Sequence, residues 1–154
     1  DLLGRVEGYV DRAVAEGARL LTGGKRLTGG DYDQGYFYPV TLLAGVTRDM
    51  EIAREEVFGP VLTIQPVDTF EEALDLANDV PYGLASSIFT GRLELAGRFV
   101  HGIKSGMVHV NHGTSSEPHM PFGGVKDSAV GPGSIGSTTK DFFSDIKAVY
   151  VKYA

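Results

Sequence analysis

Cysteine is absent from the 154 residues, so the chain alone can form no disulfide, no cysteine-ligated zinc site and no cysteine nucleophile. Long hydrophobic runs are missing as well. No apolar stretch approaches the ~20 residues of a membrane span, and no charged-then-apolar signal segment opens the chain. Positive charge is in deficit: 14 Lys and Arg stand against 20 Asp and Glu, for a net charge of −6. A binder of phosphate backbones needs a basic stripe, so nucleic acid is not an expected partner. These absences lead to the expectation of a cytoplasmic protein with neither membrane nor nucleic-acid partners. Glycine, by contrast, is abundant at 21 residues, about twice its usual frequency. Apolar residues at 42% with charged residues at 22% argue against disorder and against a coiled coil. The length suits one domain able to bury a core. The chain opens Asp1-Leu2-Leu3 with no initiator methionine and reads as a piece of something longer.

Leu2, Leu3, Val6, Val10, Ala13 and Val14 recur at helical spacing, with Asp1 as N-cap and Gly17 as a stop. A short strand at 18–22, a hairpin or surface loop at 25–35 and a strand at 36–43 follow. A β-type run at 61–67 leads into Thr69 and Glu72, the spacing of a capping box. Phe70, Ala73, Leu74 and Ala77 then mark a helix. A strand at 84–90, a helix at 93–103 closed by Gly106 as a C-cap glycine, and a strand at 107–111 complete the pattern. Strand, helix, strand, helix, strand predicts an α/β fold with a parallel sheet covered by helices. From His112 to Gly136 the periodicity stops; six glycines and three prolines fall in 25 residues, a composition suited to a functional loop. A short amphipathic piece at 138–144 precedes an alternating run at 146–153, which reads as a strand seeking an edge, on this or another subunit.

Gly131-Pro-Gly-Ser-Ile-Gly136 fits G-x-G-x-x-G but lacks the buried strand before it and the acidic residue about 20 positions on, so it reads as a turn. His109 and His112 would point to opposite faces if strand geometry persisted, and no carboxylate–histidine cluster accompanies them; no metal is expected. Glu55-Glu56-Val57-Phe58-Gly59-Pro60 reads either as an acidic helix end before a turn or as a binding element. In the second reading the carboxylate accepts a ribose diol and the ring walls a flat heterocycle. In Pro121-Phe122-Gly123-Gly124 the glycines permit close backbone approach and a fixed Phe122, which could equally plug the loop from beneath. Asn111 ends a strand where open α/β sheets place ligand contacts.

Together, Gly-Tyr-Phe-Tyr-Pro-Val-Thr (35–41), Glu-Glu-Val-Phe-Gly-Pro-Val (55–61), Glu-Ala-Leu-x-x-Ala-Asn (72–78), Tyr-Gly-Leu-Ala (82–85), Gly-Met-Val-x-Val-Asn (106–111) and Pro-Phe-Gly-Gly-Val-Lys (121–126) resemble the NAD(P)-dependent aldehyde dehydrogenase superfamily in order and spacing. The resemblance covers about the last third of a typical member. It implies that residues 1–136 are the C-terminal portion of a three-layer, parallel-sheet catalytic domain. Residues 137–154 would add a short helix and a C-terminal oligomerisation strand, in a homodimer or homotetramer. It also implies aldehyde oxidation with NAD or NADP through a cysteine thioester. The nucleophile, the glutamate base and the cofactor domain would all lie upstream, so no catalytic residue is expected in this chain and the cofactor would be bound only by the complete enzyme.

By position, Glu56 corresponds to the family's ribose-binding glutamate and Phe58 to the ring at the nicotinamide. The stretch from Asn111 to Phe122 matches the loop walling the aldehyde tunnel, with Thr114 and Ser116 as further substrate contacts. Its polar content points to a small polar aldehyde, and its lack of arginine counts against a carboxylate-bearing semialdehyde. One departure matters: the family's Arg-Glu pair after Pro-Phe-Gly-Gly-x-Lys is missing from 127–136. The rival reading is a stand-alone, non-catalytic α/β binding or scaffolding module of the same fold.

Overall fold

Asp1 starts the first helix with its own carboxylate, which accepts a hydrogen bond from the Leu3 amide at 2.9 Å. The computed structural model describes residues 1–153. Helix α1 (Leu2–Ala15) buries Leu3, Val6, Val10 and Ala13 of the expected stripe together with Tyr9, while Leu2 and Val14 at the stripe's margins are exposed. Gly17 at φ 111° ends it. There the Ala18 amide donates to the Ala13 carbonyl and the Gly17 amide to Val14, the paired bonds of a Schellman close.

Strand β1 (Arg19–Thr22) runs antiparallel to β2 (Thr41–Ala44), and β2 runs parallel to β3 (Val61–Ile64). A 3₁₀ turn at Gly30–Gln34 fills the expected surface loop. The strand expected from Tyr36 begins only at Thr41, because Pro39 has no amide to give the ladder. Likewise β3 stops at Ile64, short of Pro66. Between β2 and β3 lies a single helical turn, α2 (Glu51–Arg54).

Tyr9, Val10, Ala13 and Ala18 close on Leu43, Val46, Met50 and Ile52 to form the core of this first compact unit, Asp1–Val80. Leu43 is fully buried; burying a leucine contributes about 1.5–3 kcal/mol. Thr41 is equally buried, but its hydroxyl accepts from the Gly24 amide at 2.9 Å and donates to the Pro39 carbonyl at 3.0 Å. Helix α3 (Phe70–Asn78) is capped as predicted, with Thr69 Oγ1 accepting from the Glu72 amide at 3.1 Å. The reciprocal Glu72 carboxylate reaches back one residue further than in a standard box, to the Asp68 amide. Arg48 bridges Asp75 and Asp79, and Arg54 also pairs with Asp79, so the lead-in and the last residue of α2 are tied to the C-terminal half of α3 at an exposed surface.

The second unit begins at Pro81. The strand expected at 84–90 is present, shortened, as β5 (Ala85–Ile88), and a separate two-residue strand, β4 (Tyr82–Gly83), precedes it. β5 connects through helix α4 (Leu93–Gly102) to its parallel partner β6 (Met107–Val110), a strand–helix–strand unit as predicted. β4 pairs instead with β7 (Val125–Lys126), antiparallel. Among the described residues the ladders are separate: β3 pairs with β2, and β5 with β6. Pro81 interrupts donation just before β4, and Gly83 is drawn onto a different partner.

Gly106 does not cap α4, which ends extended at Ile103 (φ −76°, ψ 137°). Its role is close approach. A Cβ there would meet the Gly123 carbonyl oxygen and come within 2.8 Å of the Gly124 Cα. A 3₁₀ turn (Gly136–Thr138) leads into α5 (Thr139–Phe143), the short helix expected there. Residues 146–153 form no strand within the chain, since no edge of the described residues pairs with them; Ile146, Val149, Tyr150 and Tyr153 are exposed.

Two stability predictions follow from these contacts. Gly106→Ala should lower unfolding stability by about 1–3 kcal/mol, read from urea midpoints, because its neighbours are backbone atoms that cannot rotate away. Tyr38→Phe should be neutral or stabilising by up to ~1 kcal/mol, because the Tyr38 hydroxyl is buried with no hydrogen-bond partner. Burial pushes the Tyr38 phenol up. A raised phenol keeps its stabilising proton at neutral pH and loses that contribution as pH climbs above ~10. Wild type should therefore show an alkaline loss of stability that the Phe variant lacks.

Candidate functional site

Glu56 and Phe58 sit in the first unit, on the bend between α2 and β3. The chain leaves α2 extended at Glu55, turns left-handed at Phe58 (φ 59°) and enters β3 through Gly59 and Pro60. Two contacts from α1 set this bend. Arg5 donates to the Glu56 carbonyl at 3.0 Å, and a Cβ on Gly59 would fall 2.7 Å from Val6. With its backbone held, Glu56 leaves its exposed carboxylate without a partner among the described residues.

The Phe58 ring is 68% exposed, which is unusual for a side chain of that size on a fixed bend. It forms one wall of a groove of about 600 Å³ whose other walls include Leu3, Val6, Tyr36, Tyr38 and Pro60. An apolar, aromatic-walled groove with a free carboxylate two residues from its ring suits a flat heterocycle carrying a diol sugar. These residues therefore fit the ribose and nicotinamide of a dinucleotide. Tyr36 and Tyr38 were not recognisable as groove residues beforehand, because their aromatic run reads as a strand. Pro39 beside them was the available signal.

Asn111, Thr114, Ser116 and Phe122 all fall in the second unit. Asn111 closes β6 in a left-handed conformation (φ 53°), which asparagine tolerates. Its side-chain oxygen accepts from the Thr90 amide at 2.8 Å, and its Nδ2 donates to the Thr90 carbonyl at 2.9 Å. The side chain thus clasps the ends of β5 and β6, leaving one N–H for a ligand. Thr114 and Ser116 are exposed, with hydroxyls unengaged among the described residues. Phe122 is 38% exposed on a stretch whose carbonyl accepts from the Ser134 amide at 3.0 Å. Gly133 approaches the same stretch so closely that a Cβ would lie 3.0 Å from the Phe122 carbonyl oxygen, and one on Gly136 would crowd Met120 and His119. The Gly131–Gly136 run is thus a packing turn under the loop.

His109 and His112 correct the expectation of opposite faces. The left-handed turn at Asn111 brings their rings into a stack, with centroids 5.8 Å apart and planes 16° from parallel. Among the described residues no group of three or more His, Asp or Glu side chains is placed to hold a metal. No helix is long and apolar enough to cross a membrane.

Residues 2–149 match the aldehyde dehydrogenase family. The α-ketoglutaric semialdehyde dehydrogenase of Bacillus subtilis is 43% identical over 145 residues, 94% of this chain and 30% of that protein. Among solved structures, an NAD-dependent aldehyde dehydrogenase from Sinorhizobium meliloti aligns with a TM-score of 0.90 at 38% identity, covering 97% of this chain and 29% of that one. The lactaldehyde dehydrogenase of Escherichia coli aligns at 0.82 and 43% identity, covering 88% and 28%. The chain thus spans under a third of the length of these relatives. With the match extending over nearly every residue, and the Glu56–Phe58 bend and the glycine-packed loop in place, the chain belongs to the aldehyde dehydrogenase family.

Proposed function

We propose that this chain is the C-terminal portion of the catalytic domain of an NAD(P)-dependent aldehyde dehydrogenase. The observation that carries the proposal is the exposed Glu56 carboxylate, without a partner among the described residues, two residues before the outward Phe58 on one bend. In the complete enzyme an aldehyde and water become a carboxylic acid while NAD(P)⁺ becomes NAD(P)H. The cofactor supplies the hydride acceptor. Glu56 accepts hydrogen bonds from both hydroxyls of the nicotinamide ribose and so fixes the sugar. Phe58 walls one face of the nicotinamide and excludes water from it. The cysteine nucleophile and the glutamate base belong to other parts of the longer protein. With no cysteine of its own, this chain has no means of forming the thioester.

Asn111, Thr114, Ser116 and Phe122 form one wall of the aldehyde tunnel in this reading. Open hydroxyls at Thr114 and Ser116 favour an oxygenated aldehyde. The names of the Bacillus subtilis and Escherichia coli relatives, an α-ketoglutaric semialdehyde and a lactaldehyde dehydrogenase, support that class. They divide on whether the substrate carries a carboxylate, and residues 112–122 contain no arginine to pair with one. Residues 146–153, unpaired and with exposed apolar side chains, are the edge that joins a neighbouring subunit in a dimer or tetramer.

Incubated with NAD and an aldehyde, the 154-residue chain should yield no NADH; turnover by the chain alone would overturn the assignment. In the longer enzyme, Glu56→Gln should raise KM for NAD about tenfold and leave KM for the aldehyde within about twofold. Lactaldehyde should be oxidised faster than both a long-chain alkanal and α-ketoglutaric semialdehyde, judged by kcat/KM. A preference for the alkanal would refute the polar-tunnel reading, and a preference for the semialdehyde would refute the argument from missing arginine.

A further inference from the structure

His109 is bonded at both ends of its ring. Nδ1 lies 3.1 Å from the Ser86 carbonyl on β5, and Nε2 lies 3.0 Å from the Ser115 carbonyl in the loop that follows β6. A carbonyl oxygen can only accept. A neutral imidazole has one N–H and one lone pair, so it can satisfy one of these partners and must oppose the other. The imidazolium, with two N–H groups, satisfies both. We infer that His109 is a positioning residue that fastens residues 113–116 to β5, and that the fastening is complete only when its ring carries both protons.

The neighbouring contacts support a fastener at this place. Ser87 Oγ donates to the His112 carbonyl at 2.6 Å, and the Asn111 amide clasps Thr90, so the chain leaving β6 is also tied at residues 111 and 112 to β5 and to Thr90 just beyond it. His109 is the last of these ties to reach into the loop itself, where the Ser115 amide also closes a tight turn onto Gly113. The titratable group packed against His109 is His112, stacked ring to ring; a charge there would oppose the imidazolium. Neither β5 (Ala85–Ile88) nor residues 113–116 carry an ionisable side chain, and Glu117 is the next charge along the loop. On α4, His101 is bonded to its own helix at Gly97, Glu94 is paired with Arg92, and Arg98 is the remaining charge.

The fastening stands on these contacts. Its consequence, that Thr114 and Ser116 are held in place toward an aldehyde, rests on the proposed tunnel wall. The test is nuclear magnetic resonance on the 154-residue chain with labelled histidine rings, together with hydrogen-exchange protection factors for the amides of 113–116. Protection of these amides should fall about tenfold as His109 loses a proton, with the midpoint that the His109 ring itself reports. His109→Phe keeps a ring to stack on His112 and removes both donors; its loop should sit at the low protection level at every pH. Loop protection that ignores the His109 titration in the wild-type chain overturns the inference, and that measurement stands even where the variant fails to fold. A His109→Phe loop as protected as wild type overturns it as well. Thr114→Val and Ser116→Ala should leave this readout unchanged while altering aldehyde preference in the longer enzyme, so failure of the tunnel reading and failure of the fastener give different results.

Discussion

The second unit depends on backbone meeting backbone. Gly83 and Gly106 have no Cβ, so the Lys104 carbonyl can lie against Gly83, and the Gly123–Gly124 backbone against Gly106. Those approaches let β4 pair with β7, and β7 fixes where the loop from His112 to Phe122 must return. Gly133 and Gly136 repeat the device one layer further out, against Phe122, Met120 and His119. Glycines carry little apolar area, so what these contribute is geometry: a side chain at any of these places would push the loop off its seat by the width of a methyl group. Several of the chain's glycines are thus contact points, and Gly133 and Gly136 of the fortuitous dinucleotide pattern are among them.

The first unit is built on the opposite principle. Its helix lays Tyr9, Val10 and Ala13 onto Leu43 and Val46, and side-chain burial does the holding. Among the described residues the second unit buries only Ala96 and Phe99 of its apolar side chains and leaves Phe89 and Leu93 largely open. A unit held by few buried side chains and many exact backbone approaches is sensitive to added atoms more than to lost ones. It also presents apolar surface that a larger protein can cover, consistent with the chain spanning under a third of its relatives' length.

The elements whose signal is local were legible beforehand. Asp1 and Gly17 bound α1 because capping involves only neighbouring residues, and Thr69 caps α3 for the same reason. The strand–helix–strand unit from β5 to β6 followed from periodicity. What could not be read was pairing. β3 and β5 look alike as sequence, and nothing local says that one joins β2 and the other only β6. The stacking of His109 on His112 was hidden by one dihedral at Asn111, which converts an alternating strand into a turn. Among the proposed site residues, Glu56 and Phe58 stand out in the sequence through motif order, and both are exposed. Asn111 was found as a strand-end residue, and its amide proved to be spent largely on Thr90.

Three residues other than glycine adopt positive φ among the described residues: Phe58, Asn111 and Lys126. For asparagine this costs little. For phenylalanine, whose Cβ crowds the following carbonyl, it costs roughly 1–2 kcal/mol. Phe58 also forgoes burial, since its ring is mostly exposed, so local energetics oppose its placement twice. The bend persists because α1 grips it from both sides, with Arg5 on the Glu56 carbonyl and Val6 against Gly59. Relaxing Phe58 to negative φ would swing its ring off the groove and break one or both grips. An aromatic ring held outward against strain and against burial, two residues from a carboxylate with no partner among the described residues, makes sense as a surface kept ready for a flat apolar ligand with a hydroxylated neighbour. That observed strain, more than the motif alone, is the physical argument for a binding site at this bend.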